Sequence, residues 1–518
     1  LNNEQSQNIS ARLFLPGIGS LFFLLILGCF LFWRPLLLLG DGSACRHLDA
    51  GTYILLEHKI HTTNYTSALF PDVRAISASF LGDVLYALSY QLMQLNGLVL
   101  VAAVTIALTL TWCYQFARAR GLGPVIGLLG MVFVMTAASM HWSARTLVFS
   151  HLIFLILFYV TFMAPFTDAR RLVVTAVVML FWVNFHGSFL LGMVMLGARL
   201  AGDFIDGAGL SRSEWISSLR WQLMTIAACA VVLCLSPNGP GFYTYVTGYL
   251  SHPMIMMKSN EWKSLDFSLG LQTWSFLALY ALMVLLWAYS KKRPKMSEFI
   301  LVNFLFFGGL YTMRLVPYFA LAVLPAMALP WAAVADQLLR GGGTADDGEA
   351  GMLAAKWFAF EERIDKQERA GGLKPAISIG LGAVMALAFA FAPQCKVADF
   401  DPAKLPVSTT RYIIDNHLNG LGFCYDNWGG YLFWRLHRPI FIDDWTDFYP
   451  VSFTEEYVQA MMAQPGWQQV LDKYKLEYVL IPHGISLGQA LANSPEWQII
   501  CNDPASELFV RKTAQPRQ

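Results

Sequence analysis

Long apolar runs broken by short polar segments fill the first three quarters of the chain. Stretches at 13–39, 95–116, 122–140, 147–163, 172–185, 187–203, 221–236, 273–290, 298–313, 315–332 and 375–393 each read as a helix able to cross a bilayer. A hydrocarbon core of ~30 Å needs ~20 residues of helix, so about eleven crossings are expected. Residues 394–518 follow another rhythm. RYIIDNHL, SFTEEYVQAMMA and GWQQVLDKYK carry helical spacing, while PIFIDD, EYVLIP, WQIICND and SELFVRK read as strands. This alternation predicts a small α/β unit. The expected architecture is a polytopic α-helical membrane protein with about eleven transmembrane helices and a C-terminal extracytoplasmic α/β domain. Residues 1–393 form the first part, with an outer loop at 40–94 that carries short helices, and residues 394–518 form the second.

Charge fixes the expected orientation. Arg118 and Arg120, Arg170 and Arg171, Arg212 and Arg220, and the run Lys291–Lys295 fall in alternate loops and hence on one side of the membrane. The positive-inside rule makes that side cytoplasmic. The N-terminus then lies inside and the C-terminal domain outside; Arg34 and Arg46 run against the rule. The 333–374 loop is expected inside, with GGGTADDGEAG as linker and KWFAFEERIDKQER as an exposed amphipathic helix along the membrane surface.

Composition agrees with this picture. Of 518 residues, 56% are hydrophobic and only 14% are charged, and the mean hydropathy is +0.47, whereas soluble domains carry roughly a quarter charged residues. A net charge of +1 with no basic tract gives no sign of a nucleic-acid partner. The opening LNNEQSQNISAR lacks the layout of a signal peptide. Eight cysteines show no CxxC or Cys/His zinc spacing; Cys395, Cys424 and Cys501 are the set that an oxidising compartment would allow to pair. Asn64-Tyr65-Thr66 matches a glycosylation sequon by chance.

With this topology the outer ends of the helices collect the reactive groups. They are Asp41, His47, Asp49 and Asp83 after the first apolar run; His141, Trp142 and Arg145; Asn184 and His186; Glu261 and Lys263; and Arg314. Ionisable groups at membrane depth are costly and mark a pathway or a site. Singly, each also has a plain structural role. Asp41 can cap a helix, Arg145 and Arg314 can anchor at the interface, His186 can pack between helices, and Glu261 and Lys263 can sit on a solvated loop.

The order of these pieces resembles a bacterial family of GT-C superfamily glycosyltransferases, polytopic enzymes that use polyprenyl-phosphate sugars. The matching residues are DGSACRHLDAG from Asp41, HWSAR from His141, WVNFHG from Trp182, SPNGPGFYTY from Ser236 and NEWKSLDF from Asn260. RLVP from Arg314 and DNWGGYLFWRL with FIDDWTDFY in the C-terminal part complete the set. The resemblance spans nearly the whole chain and implies a GT-C-like fold. It also implies an inverting sugar transfer on the outer face of the bacterial inner (cytoplasmic) membrane, with the C-terminal domain periplasmic. Such chemistry needs a carboxylate to take the acceptor's proton and cations to neutralise the leaving phosphate. On this chain the resemblance implies Asp41 as base, with Asp83 and Glu261 as further catalytic acids. His141, Arg145, His186 and Arg314 would meet the donor phosphate, and His47, Asn184, Trp142, Asp443 and Asp447 would support the site or hold substrate. The implied partners are a polyprenyl-phosphate sugar donor, an extracytoplasmic acceptor and the lipid bilayer; partner membrane proteins are not specified.

The chain departs from the pattern at three places. Ser43 replaces the second acid of a DxD-like pair, which weakens any two-carboxylate metal site, so no metal ligand is assigned and a divalent metal stays open as a cofactor. Ala78-Ser79-Phe80-Leu81 replaces a His-Glu-Trp-Leu stretch, and Asp444-Trp445 replaces a Gly-Arg pair. Two other functions therefore stay open: a non-catalytic scaffold that keeps the fold, and a transporter or flippase of lipid-linked sugars. Against the latter, transporters place polar groups at mid-bilayer on broken helices, not at helix ends.

Overall fold

The structure is a computed structural model. It describes residues 17–209, 211–243, 247, 260–341, 348–369, 374–445 and 448–512. Over their described residues, all eleven apolar segments fall on helices. α1 (Ile18–Gly28) continues through a π turn, Cys29–Trp33, and a 3-10 turn, Pro35–Leu39. Two outer helices follow, α2 (Ser43–Glu57) and α3 (Phe80–Met93). The bundle proper holds α4 (Leu95–Ala119), α5 (Pro124–Ala138), α6 (Leu147–Phe162), α7 (Asp168–Phe185), α8 (Leu190–Asp206) and α9 (Arg212–Leu233). It continues with α10 (Leu271–Tyr289), α11 (Met296–Tyr311), α12 (Val316–Gly341) and, after the polar helix α13 (Gly348–Arg369), α14 (Lys374–Phe391).

Among the described residues six helical stretches are long and apolar enough to span a membrane: Leu95–Ala119, Pro124–His141, Gly187–Asp206, Arg212–Leu233, Leu271–Tyr289 and Met313–Gln337. Ile18–Trp33, Leu147–Phe162, Met296–Tyr311 and Ile377–Phe391 are shorter apolar helices. Large apolar side chains on the bundle exterior, such as Val173, Phe181, Val231, Trp274, Phe307 and Phe391, are exposed. In water such a surface would be a liability; hydrocarbon covers it. The protein is a multi-pass membrane protein.

Inside the bundle, polar groups find partners. Ser150 on α6 accepts from Trp182 Nε1 on α7 at 2.6 Å and from Tyr318 OH on α12 at 2.9 Å, tying three helices together. The basic loops gather at one end, as alternation requires. Arg120 holds Glu298 with a two-pronged bond at 2.6 and 2.7 Å, and the Met296 amide donates to Asp206 at 3.1 Å. At that end α13 is docked, not simply exposed. Glu361 is buried and accepts the amides of Val125 and Ile126 at the start of α5, each at 3.0 Å, and Asp365 pairs with Arg118.

The C-terminal part begins with α15 (Val407–Asp415) and holds a four-stranded sheet in the order β1-β2-β4-β3, made of β1 (Gly422–Cys424), β2 (Tyr478–Pro482), β3 (Trp497–Asn502) and β4 (Ser506–Arg511). β1 runs parallel to β2; the other pairs are antiparallel. Helices α16 (Gly429–Leu436), α17 (Val451–Met461), α18 (Trp467–Lys473) and α19 (Ser486–Ala492) complete it. The expected strand PIFIDD is not in the sheet. Its extended backbone instead meets the outer loop: Ile440 bridges Ser67, with Ala68 N donating to Ile440 O at 2.8 Å and Ile440 N to Thr66 O at 2.9 Å. β1, the shortest strand, takes the place assigned to it. All eight cysteines are free thiols, and Asn64 of the sequon is fully buried.

Two close approaches set the outer helices. A Cβ on Gly51 would lie 2.0 Å from the Asp83 carbonyl oxygen, so only glycine lets α2 and α3 come this near. Gly42 and Gly430 do the same between α2 and α16; a Cβ on Gly430 would meet Gly42 O at 2.8 Å and Arg46 Cβ at 2.9 Å. Gly430 therefore lies at the start of α16 pressed onto α2, while Gly429 packs on the backbone of Ile442 and Asp443.

Candidate active site

A cavity of about 620 Å³ lies where the outer helices, the bundle ends and the C-terminal part meet. Its wall includes Asp41, Arg46, His47, Arg145, His186, Glu261 and Arg314, together with Lys404, Asp426 and Asp444 from the C-terminal part. Residues more than two hundred positions apart thus face one space.

Four of them form a chain of alternating charge. Arg145 Nη1 lies 3.0 Å from Asp41 Oδ2, and Arg145 Nη2 binds Glu261 Oε1. Arg314 Nε binds the other Glu261 oxygen at 3.0 Å, and the Arg314 guanidinium lies 4.6 Å over the Trp262 ring. Each group sits at a break in regular structure. Asp41 follows the 3-10 turn after α1, its Oδ1 accepting the Ser43 amide at 2.9 Å; Arg145 is in the α5–α6 link, and Arg314 is in a 3-10 turn before α12. Burial would push the Glu261 carboxyl up, but Arg145, Arg314 and His141 outweigh it and hold the group well below the usual carboxylate range. Arg145 is buried too, and its two carboxylate partners keep it charged.

Behind this chain lies a second acid–histidine pair. His47 Nδ1 is 2.7 Å from Asp83 Oδ1, and its Nε2 is 3.3 Å from Thr146 Oγ1. Asp83 does not line the cavity. It is 2% exposed, and burial pushes its carboxyl up to about 7. Burial, aided by Arg46, lowers the His47 imidazole well below its ordinary value. Asp83, expected as a catalytic acid, lies against the His47 ring and outside the cavity wall.

Other expected residues divide. His186 lines the cavity, its Nδ1 accepting the Ser188 amide at 3.0 Å. His141 is set back; it donates from Nε2 to Met313 O at 3.2 Å and lies 4.0 Å from Glu261. Trp142 packs edge-on against Phe30, 5.5 Å between rings, and Asn184 bonds within its own helix to Leu180 O at 2.7 Å. Neither lines the cavity. Asp443 is also not in the cavity wall. It is 1% exposed and accepts from Thr66 Oγ1 at 2.5 Å and from Trp445 N at 3.0 Å, which pins residues 440–445 to the outer loop. Its neighbour Asp444 faces the cavity instead. Asp447 lies outside the described residues.

Two of the three departures from the resembled pattern turn out to be partners. Ser43 Oγ donates to Asp444 Oδ2 at 2.6 Å, and Arg46 Nε donates to the same oxygen at 2.9 Å. Helical spacing could have shown this face. Ser43, Arg46 and His47 lie at i, i+3 and i+4 of α2, whereas the pairing with residue 444 leaves no local trace. Asp426, a further cavity acid, is raised to about 6 by burial. Among the described residues no three His, Cys, Asp or Glu side chains converge as a metal site would need.

No protein-family model matches the sequence, and no curated protein does. Solved structures do match in shape. The crystal structure of ArnT from Cupriavidus metallidurans bound to undecaprenyl phosphate superposes with a TM-score of 0.50 at 12% identity, covering 96% of this chain and 99% of that one. The oligosaccharyltransferase of Archaeoglobus fulgidus in its apo form gives 0.53 at 10% identity, over 90% of this chain and 69% of that one. At these identities the likeness is one of fold alone: the chain shares the fold of these two solved structures.

Proposed function

We propose that this GT-C-fold membrane protein is a glycosyltransferase that moves a sugar from a polyprenyl-phosphate donor to an extracytoplasmic acceptor, with Asp41 as general base. The observation that carries the reading is the run Asp41–Arg145–Glu261–Arg314, drawn from four separate segments and facing one cavity on this fold. One of the matched structures holds undecaprenyl phosphate, the kind of carrier such a site would serve.

In this reading the donor lies with its lipid in the bilayer and its phosphate at Arg145 and Arg314, whose positions at helix ends match headgroup depth. The acceptor oxygen attacks the anomeric carbon from the opposite face as the bond to the phosphate oxygen breaks. Asp41 takes the acceptor's proton, and the arginines stabilise the charge gathered on the departing polyprenyl phosphate. The resting pairs keep both arginines aimed into the cavity. Arg145 spends its fork on two carboxylates, so the phosphate must compete with Glu261; Glu261 positions the arginines and yields when the donor binds. His186 lies beside the phosphate, and His47, set by Asp83, supports the wall behind Asp41.

The same reading places the protein in a bacterial inner membrane, with the basic end of the bundle cytoplasmic and the cavity and C-terminal domain (394–518) periplasmic. Deleting the protein should remove a sugar from an envelope glycan, and the wild-type chain should restore it. Envelope glycans unchanged by deletion would contradict the proposal. A periplasm-dependent reporter fused after Lys512 should be active; a silent fusion would reverse the orientation.

A further inference from the structure

The cavity's two groups of arginines differ in what they leave open. Arg145 has both terminal nitrogens on carboxylates, Asp41 and Glu261. Arg46 is tied only through Nε, to Asp444 at 2.9 Å, and its guanidinium lies 5.0 Å over the Trp445 ring. Its side chain is 15% exposed, it lines the cavity, and among the described residues its Nη1 and Nη2 bond to nothing. A guanidinium held along one edge by a carboxylate and on one face by an indole has lost most of its freedom. The two donors that remain form the fork that fits an oxyanion. Although burial disfavours its charge, Asp444 keeps Arg46 protonated.

The surroundings favour a soluble headgroup over a lipid phosphate. Arg46 is on α2, which no spanning stretch includes, and a Cβ on Gly430 of the C-terminal part would sit 2.9 Å from Arg46 Cβ. Arg314, by contrast, lies in the spanning stretch Met313–Gln337, and Arg145 just past the end of Pro124–His141. The wall also carries Lys404, Asp426, Asn427 and Trp428, and a Cβ on Gly42, just before α2, would lie 2.3 Å from the Asn427 carbonyl oxygen. Carboxylates and an amide can meet sugar hydroxyls there, and Lys404 adds a second cation at the rim.

We propose that Arg46, backed by Asp444 and Trp445, is the anchor of a second anion subsite that binds an oxyanion substituent, such as phosphate, on the acceptor sugar. This rests on the glycosyltransferase reading for the word acceptor, but the subsite itself does not. The test uses the full chain in nanodiscs and two probes, glucosamine 6-phosphate and undecaprenyl phosphate. Binding of each is followed by tryptophan fluorescence or thermophoresis, with glucosamine as the neutral control. Wild type should bind the phosphosugar at least tenfold more tightly than glucosamine. Arg46→Gln should cost at least tenfold for the phosphosugar and under twofold for undecaprenyl phosphate, and Arg145→Gln should do the reverse. Arg46→Lys, which keeps the charge on Asp444 but lacks the fork, should fall between and serves if the glutamine variant does not fold.

Phosphosugar binding that is absent, or unmoved in both Arg46 variants, overturns the subsite. An equal loss of undecaprenyl phosphate in Arg46→Gln would assign Arg46 to the lipid phosphate and overturn it as well. If the phosphosugar arm behaves as stated while wild type fails to bind undecaprenyl phosphate, the subsite stands and the lipid-donor reading fails.

Discussion

The same bundle carries ionic clusters at its two ends, and they are built differently. At the basic end Arg120 and Glu298 form a closed pair, with Glu298 3% exposed, while Arg118 is matched to Asp365 and Glu361 caps the start of α5. Each charge has its own partner and none of these residues lines the large cavity. At the other end Arg145 is shared between two acids and Glu261 between two arginines, and all four charges face open space. One-to-one sealing holds helices in place. Shared, cavity-facing charges can be redistributed when a ligand arrives. Ionisable groups at helix ends are therefore not in themselves the mark of a site; the open geometry is.

Substitutions at the two ends should separate these roles. Arg145→Gln removes the cation that Asp41 and Glu261 share, and sugar transfer should drop by about 10²–10³-fold, the usual cost of losing a transition-state charge partner. A residual rate above a tenth of wild type would show that the open cluster is structural like its counterpart. Arg120→Met leaves Glu298 buried without its ion pair and should lower unfolding stability by about 3–5 kcal/mol. Transfer per folded molecule should be unchanged, and a loss of turnover in the folded fraction would blur the contrast. Glu361→Gln weakens the cap on α5 and should cost about 1 kcal/mol, read as a small shift in thermal melting with normal activity.

A pH-dependent effect concerns Asp83. Its folded-state carboxyl titrates near 7 instead of near 3.8, so the folded protein holds a proton that the unfolded chain has lost between those values. Stability from this group is full below about pH 4 and is lost as pH rises through about 7. His47, held neutral, contributes in the opposite sense. Replacing Asp83 with Asn should flatten the fall across this window relative to wild type in melts run from pH 4 to pH 8; identical slopes would show that Asp83 is not held protonated behind His47.

Much of the fold was legible because membrane helices advertise themselves. Over its described residues every apolar run expected to span lies on a helix, and Asp41, Arg145, His186, Glu261 and Arg314 could be picked out as polar groups at the ends of those runs. What the sequence hid is pairing over long separations. Asp444 and Arg46 are 398 residues apart, and neither stands at a spanning helix end, so Arg46 looked like an exception to the charge rule. Asp443 stands among the residues expected at the site, whereas Asp444 is the one that lines the cavity. With the PIFIDD segment bridging Ser67 outside the sheet, strand alternation no longer decides which acid faces inward. Trp142 and Asn184 stand close in sequence to cavity-lining residues, but the Trp142 ring packs on Phe30 and the Asn184 amide bonds to Leu180 O in its own helix.

The central claim is that Asp41 removes the acceptor's proton. Asp41→Asn keeps the shape and the Ser43 amide bond while removing the base. In proteoliposomes supplied with a polyprenyl-phosphate sugar and the acceptor glycan identified from a deletion strain, it should lower transfer by about 10²–10⁴-fold while undecaprenyl phosphate still binds. Transfer by Asp41→Asn at the wild-type rate would contradict the account.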